Sequence, residues 1–281
     1  MGGNRGFKSG KMQAKETFMC TQFSARELTK EIKATVLANG AALVGVAAIE
    51  SIPPCIPPLP VTKVMVEARS IVVFAIPMLR GSIESPSLFS AMISTHATYR
   101  EEELLTLRLG RLIEERGYRA AMVVPASPIE MSRETRGLLG DISLRHVAVG
   151  AGLGTIGKSR LLLTHRWGPR VRLGAVVTNA LLEADKPVEE ELCGDCDLCV
   201  QSCPAQALNT HTLKDSVKCL NKQQRWGMAA HIQFMQRLME APLEQQKTML
   251  RDPEYWNLYQ AQSVTLMYTC YECINCCPVG K

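Results

Sequence analysis

Cys193-Gly-Asp-Cys196-Asp-Leu-Cys199-Val-Gln-Ser-Cys203-Pro204 is the stretch on which the reading of this chain turns. Its spacing, C-x2-C-x2-C-x3-C-P, is that of a tight loop wrapping an iron–sulfur cubane, with the fourth cysteine reaching a second cluster. A second run follows at Cys270, Cys273, Cys276 and Cys277-Pro278. Thiolates also suit zinc, but a zinc site takes four ligands, commonly as two C-x2-C pairs. Two [4Fe–4S] clusters are therefore expected. Residues 193–281 offer nine cysteines for eight places. Exchange of fourth ligands between the runs gives Cys193, Cys196, Cys199 and Cys277 to one cluster. Cys203, Cys219, Cys270 and Cys273 then hold the other, leaving Cys276 spare. A rival set uses Cys276 and frees Cys219.

The rest of the 281 residues is cysteine-poor: of eleven cysteines only Cys20 and Cys55 lie outside that end. A secreted disulfide protein would spread its bridges along the chain, so that class is excluded. With 46% hydrophobic and 21% charged residues, the chain can bury a core. Its longest apolar stretch, Ala41–Ile49, is too short to span a bilayer. No membrane span and a cytoplasmic location are expected. Residues 1–23, with Arg5, Lys8, Lys11 and Lys15, read as a disordered basic tail. Residues 24–185 read as an α/β domain, and 186–281 as the cysteine module. The module carries electrons, so the reaction belongs to the domain before it.

Ser24 and Glu27 form a capping box, followed by Leu28, Ile32 and Val36 on one helical face. Strands are expected at 41–49, 71–76, 120–124 and 171–178, with a helix over 101–116. Alternating strands and helices predict an α+β fold. The thirteen methionines read as core filler. Residues 193–281 carry eight basic and eight acidic side chains, so the net charge of +5 arises upstream. Arg133, Arg136, Arg145, Lys158, Arg160, Arg166, Arg170 and Arg172 oppose only Glu134 and Asp141 across 133–172. That excess suits either a solvated face or an anion-binding surface.

Gly150-Ala-Gly152-Leu-Gly154-Thr-Ile-Gly157-Lys158-Ser159 satisfies both G-x-G-x-x-G and G-x-x-x-x-G-K-[ST]. Val147–Val149 before it reads as a short strand. Yet no strand ends in the Asp that a P-loop needs for Mg²⁺, and Thr178-Asn179 stands where a dinucleotide site wants an acid. An ATP-driven redox activator using 152–159 stays as an alternative.

Residues 151–158, Gly168-Pro-Arg-Val-Arg-Leu-Gly174, the strand ending Val177-Thr-Asn179 and the two cysteine runs, in this order, resemble the epoxyqueuosine reductases. They are similar also to the corrinoid-dependent reductive dehalogenases. The resemblance implies a nitroreductase-like α/β domain holding cobalamin, joined to a ferredoxin-like module with two [4Fe–4S] clusters. It implies that Gly150, Gly152, Leu153, Gly154, Gly157, Lys158 and Arg170 line the corrinoid. An external donor of ferredoxin or flavodoxin type would feed the Cys203 cluster, then the Cys277 cluster, then cobalt. The family's proton-donating Asp is replaced by Pro125, and no helical-repeat region for tRNA follows Cys277. Another small-molecule or modified-nucleoside substrate, rather than tRNA, is therefore expected, with Tyr99, Glu130, His146 or Arg100 as proton source. The other alternative is a non-catalytic electron-transfer subunit. The sequence leaves the oligomeric state open.

Overall fold

The structure, a computed structural model, describes residues 23–55, 58, 60–123, 125, 132–133, 138–210 and 212–281. The basic tail up to residue 22, Cys20, Glu130 and Arg136 lie outside the described residues. Helix occupies 44% and strand 13% of a mixed α and β fold. In chain order its elements begin with α1 (Ala25–Ala38), β1 (Leu43–Ala48), β2 (Ser70–Pro77), α2 (Arg80–Ile83), α3 (Leu88–Glu115) and β3 (Ala120–Met122). They continue with α4 (Leu144–Gly150), the hairpin β4 (Thr155–Ile156) and β5 (Leu162–Leu163), and β6 (Val171–Thr178). The cysteine module contributes α5 (Leu198–Gln201), α6 (Leu213–Gln223), α7 (Met228–Glu240), α8 (Leu243–Met249), α9 (Pro253–Ser263) and α10 (Glu272–Asn275).

The capping box starts α1 as expected. The Ser24 hydroxyl accepts from the Glu27 N–H at 3.2 Å, and the Glu27 carboxylate accepts from the Ser24 N–H at 3.0 Å. Leu28, Ile32 and Val36 are buried beneath it. The four expected strands form one antiparallel sheet in the order β1-β2-β6-β3. Strand β2 is buried on both faces, which explains why it is apolar throughout rather than alternating. On one face Val72, Phe74, Ile76 and Val176 meet α1 and α3 through Ile32, Leu105 and Leu109. On the other, Ile71, Val73, Ala175 and Val177 meet α4 and the hairpin through Val147, Ala148, Leu153 and Leu162. Each such large apolar side chain contributes about 1.5–3 kcal/mol on burial.

Three local expectations are corrected. Helix α3 begins at Leu88 rather than Glu101, with the Ser87 hydroxyl accepting from the Ser90 N–H at 3.4 Å. Over 88–100 its inward face mixes Ala91 and Met92 with Ser94, Thr95 and Thr98, so apolar periodicity is too weak there to reveal it. Val147–Val149 belongs to α4, not to a strand, because its apolar side serves a helix packed on the sheet. Methionine is not uniformly core: Met228 and Met239 are 60% and 71% exposed.

Glu102 sits between α3 and β6 with no exposure to solvent. Gly174 makes the room, since a Cβ there would overlap the Glu102 carboxyl. Thr106 donates its hydroxyl to Glu102 Oε1 at 2.9 Å, while Oε2 has no partner. Burial pushes this carboxyl up to about 8, against the pull of the Thr106 hydrogen bond. Among the described residues no helix is long and apolar enough to cross a membrane.

Candidate functional site

The two cysteine runs meet because their one-turn helices, α5 and α10, pack on each other. Cys193, Cys196, Cys199 and Cys277 line one cavity with Leu163, Leu198, Pro278 and Val279, about 320 Å³ measured out to its mouth. The Lys158 N–H donates to Cys193 Sγ at 3.4 Å. Burial, then Cys276, Cys193 and Cys277, push the Cys199 thiol up to about 11. A second group gathers where Cys219 feels Cys270 and Cys203, and Cys273 feels Cys219 and Cys270. There the Ala207 N–H donates to Cys203 Sγ at 3.3 Å, and burial followed by those neighbours pushes Cys273 up to about 12. Cys276 is off the wall of the first cavity and acts on Cys199, Cys277 and Cys273. Among the described residues no three His, Cys, Asp or Glu meet at the spacing of a single metal ion. A cubane holds its thiolates wider apart, around a core. Thiols crowded and buried in this way are poor anions by themselves, and a cationic iron core reverses that balance.

The glycine-rich segment supports this module instead of cradling a nucleotide. Helix α4 precedes it and the β4–β5 hairpin follows, the reverse of the strand–loop–helix order that presents backbone N–H groups to phosphate. The P-loop and dinucleotide readings are thereby overturned. Gly152, at φ +73°, lies against the backbone of Lys186, and Gly157 against Leu163 and Cys193. None of Gly150, Gly152, Leu153, Gly154, Gly157 or Lys158 is on the wall of the large cleft described below.

The basic stretch 133–172 is divided: Arg133, Arg145 and Arg166 are exposed, as a solvated face would have them, while Arg160 and Arg170 turn to partners inside the molecule. Arg170, 3% exposed, turns from the cleft into the module. It donates to the carbonyls of Ile274 at 3.1 Å, Cys277 at 3.3 Å and Val279 at 2.8 Å. Arg160 donates to Ser216 Oγ and the Ala207 carbonyl, each at 3.0 Å, and lies 3.8 Å from Asp215. Arg145 donates to the Arg160 carbonyl. Arg160 and Arg170 thus tie the sheet region to the cysteine-rich region.

A cleft of about 1290 Å³, counted to its open mouth, runs along the seam. Its wall combines apolar residues such as Leu139, Ile142, Leu161, Leu162 and Pro169 with Tyr99, His146, Arg145, Arg172 and, from the module, Gln223 and Tyr268. Pro125 is also on the wall, and no carboxylate is, among the described residues. Tyr99 and His146 thus reach the cleft; Arg100 does not. The sequence named Arg172 only as part of the basic stretch and did not single out Tyr268. Tyr99 and Tyr268 stack at 5.8 Å between ring centroids, with their hydroxyls hydrogen-bonded at 3.0 Å. The Arg172 guanidinium stands over both rings, at 5.2 and 5.4 Å, and its Nε has no partner. Burial, then Tyr99, hold the proton on Tyr268 well above the phenol's ordinary range, with Arg172 pulling the other way. His146 is lowered by burial and by Arg145, and its Nδ1 lies 2.6 Å from Ser143 Oγ. A tyrosine two residues before a ligand-spaced cysteine is a signal that could have pointed to Tyr268.

No protein-family model matches the chain. It is 40% identical over 81 residues to an epoxyqueuosine reductase of Bacillus cereus, covering 29% of this chain and 21% of that protein. It is 44% identical over 66 residues to a tetrachloroethene reductive dehalogenase of Desulfitobacterium hafniense, covering 22% and 12%. The chain thus spans about a fifth of the length of the curated reductases it matches. A solved epoxyqueuosine reductase superposes with a TM-score of 0.56 at 19% identity, over 92% of this chain and 66% of that one. A reductive dehalogenase described as performing B12-dependent dehalogenation gives 0.52 at 19%, over 65% and 26%. In sequence and in fold, this chain is similar to the superfamily of epoxyqueuosine reductases and reductive dehalogenases.

Proposed function

We propose that the chain is an iron–sulfur reductase whose cleft takes a corrinoid and a substrate. The observation that carries this reading is one seam with a cavity of four thiols on one side and, on the other, a large cleft with no carboxylate among the described residues of its wall. Cys193, Cys196, Cys199 and Cys277 would hold one [4Fe–4S] cluster, and Cys203, Cys219, Cys270 and Cys273 the other. Cys219 interacts with Cys270 and Cys203, which supports this set over the one that frees it. The domain division at residues 185 and 186 follows the same assignment.

Its enclosed space of about 350 Å³ is that of an ordinary ligand site, and its open mouth would let a large flat cofactor extend outward. Leu139, Ile142, Leu161, Leu162 and Pro169 would hold its face and exclude water. A bound corrinoid supplies a strongly reducing cobalt centre. The protein's part is the proton. With Pro125 on the wall, Tyr268, relayed by Tyr99, is the donor best placed to replace an acid. Burial keeps its proton in place until a strong base, such as carbon that has just taken an electron pair, stands in the cleft. Arg172 then stabilises the phenolate that remains. The substrate is a small molecule or modified nucleoside held beside these rings.

Anaerobic reconstitution tests the reading. The expected result is about eight iron per chain, two clusters by electron paramagnetic resonance, and a retained corrinoid visible in the optical spectrum. Two clusters without corrinoid would leave an electron carrier. In the loaded enzyme, Tyr268→Phe is expected to lower kcat about 100-fold with cluster content unchanged.

A further inference from the structure

Of the ten described cysteines, Cys219 alone is exposed. It is carried by α6, where Lys214, Lys218 and Lys222 recur every fourth residue and so share one face. Arg225 follows just beyond the helix, and all four cations are exposed. They are half of the eight basic residues in 193–281, gathered into twelve positions. The acid of this stretch, Asp215, is buried and turned inward, accepting from Thr210 and from Lys218 at 3.1 Å, with Arg160 at 3.8 Å. Glu272, exposed and acting on Cys270 as Lys222 does, is the one acid felt at that thiol from across the site. The module's other acids fall elsewhere: Asp195 and Asp197 in the first cysteine run, Glu240, Glu244, Asp252 and Glu254 along 240–254. A module neutral in total is therefore strongly positive where one of its cysteines meets solvent.

Electron tunnelling falls steeply with distance, so the entry point is where the ligand shell of a cluster reaches the surface. A positive patch there steers an oppositely charged protein into place. We propose that the α6 face formed by Lys214, Lys218, Lys222 and Arg225 around Cys219 is the docking surface for an acidic electron-donor protein. This rests on the two-cluster reading above. One electron moves per encounter: the donor is oxidised by one electron and the cluster passes from its 2+ to its 1+ state. No bond in this chain is made or broken.

The test uses the full chain with both clusters reconstituted and an acidic flavodoxin as probe. Binding is read by anisotropy of its flavin fluorescence, and cluster reduction by stopped flow with the flavodoxin hydroquinone. Methyl viologen radical, a small cation, is the control donor. The variant combines Lys214→Glu, Lys222→Glu and Arg225→Glu, leaving Lys218 because it pairs with Asp215. The expected result at low salt is at least about tenfold weaker binding and slower reduction by flavodoxin, with the salt dependence flattened. Reduction by the viologen is expected not to slow, and iron content to stay the same. If charge reversal costs iron, the corresponding three Gln substitutions decide, with a smaller loss of affinity expected. Unchanged flavodoxin binding and reduction in an iron-replete variant overturns the proposal, including the case in which the stripe binds RNA instead. A parent chain that takes up no second cluster overturns the two-cluster reading, and iron content reports that separately.

Discussion

The sheet domain and the cysteine module are held together by different means. Under the sheet, Ile32, Ile71, Phe74, Leu109 and Ile113 are sealed from solvent on two faces. In the module, Phe234 is the only buried side chain of α7, and α5 and α8 bury none. The first region is a self-sufficient apolar core. The second buries fewer large apolar side chains, among them Leu208, Phe234, Leu258 and Ile274, around its crowded thiols. On the two-cluster reading, bound metal would add to the stability of this region, much as small metal-bound domains owe their folding to the metal.

The largest effect should come from breaking that contrast at the metal. Chelating the iron, or making Cys277→Ser, is expected to expose the amides of α5 and α10 to hydrogen exchange while β2 and β6 stay protected. Uniform loss across both regions would show that the sheet depends on the clusters too. Next is the seam. Arg170→Ala removes three hydrogen bonds from a charged donor to carbonyls of the Cys277 loop and is expected to cost about 4 kcal/mol. A lower melting midpoint together with faster iron loss would register it.

The third effect belongs to the sheet domain alone. Glu102, raised from 4.5 to about 8, keeps a proton in the folded chain that the unfolded chain has released between those values. Its stabilisation is full below about 4.5 and fades as the pH rises through about 8, so stability falls across this window. From pH 5 to 7 the fall is on the order of 2–3 kcal/mol. Glu102→Gln should flatten it in melting curves recorded against pH; an unchanged slope would place the titration elsewhere.

What could be read from the sequence was local. Ser24 and Glu27 announce a helix start, and 71–76 is a strand because an apolar run so short, closed by Pro77, has few alternatives. The first turns of α3 were hidden because Thr95 and Thr98 face inward. The glycine segment matched two phosphate motifs because both motifs record close backbone approach, and here the approaching group is protein. The basic stretch misled for a related reason: a count of charges does not say that Arg160 and Arg170 end on carbonyls of the module. Nor could spacing reveal that Tyr99, Arg172 and Tyr268 converge, since they come from a helix, a strand and a loop far apart in the chain.

The Thr269 N–H donates to the Gln223 carbonyl at 2.7 Å, and its hydroxyl to the Lys222 carbonyl at 2.8 Å. The chain between them, with α7, α8 and α9, therefore leaves and returns at a single stapled point. Closing a loop costs only about 0.6 kcal/mol more for each doubling of its length. Length added to or removed from that excursion therefore costs little in closure entropy, and an engineer could graft a foreign domain there while leaving both cysteine runs in place.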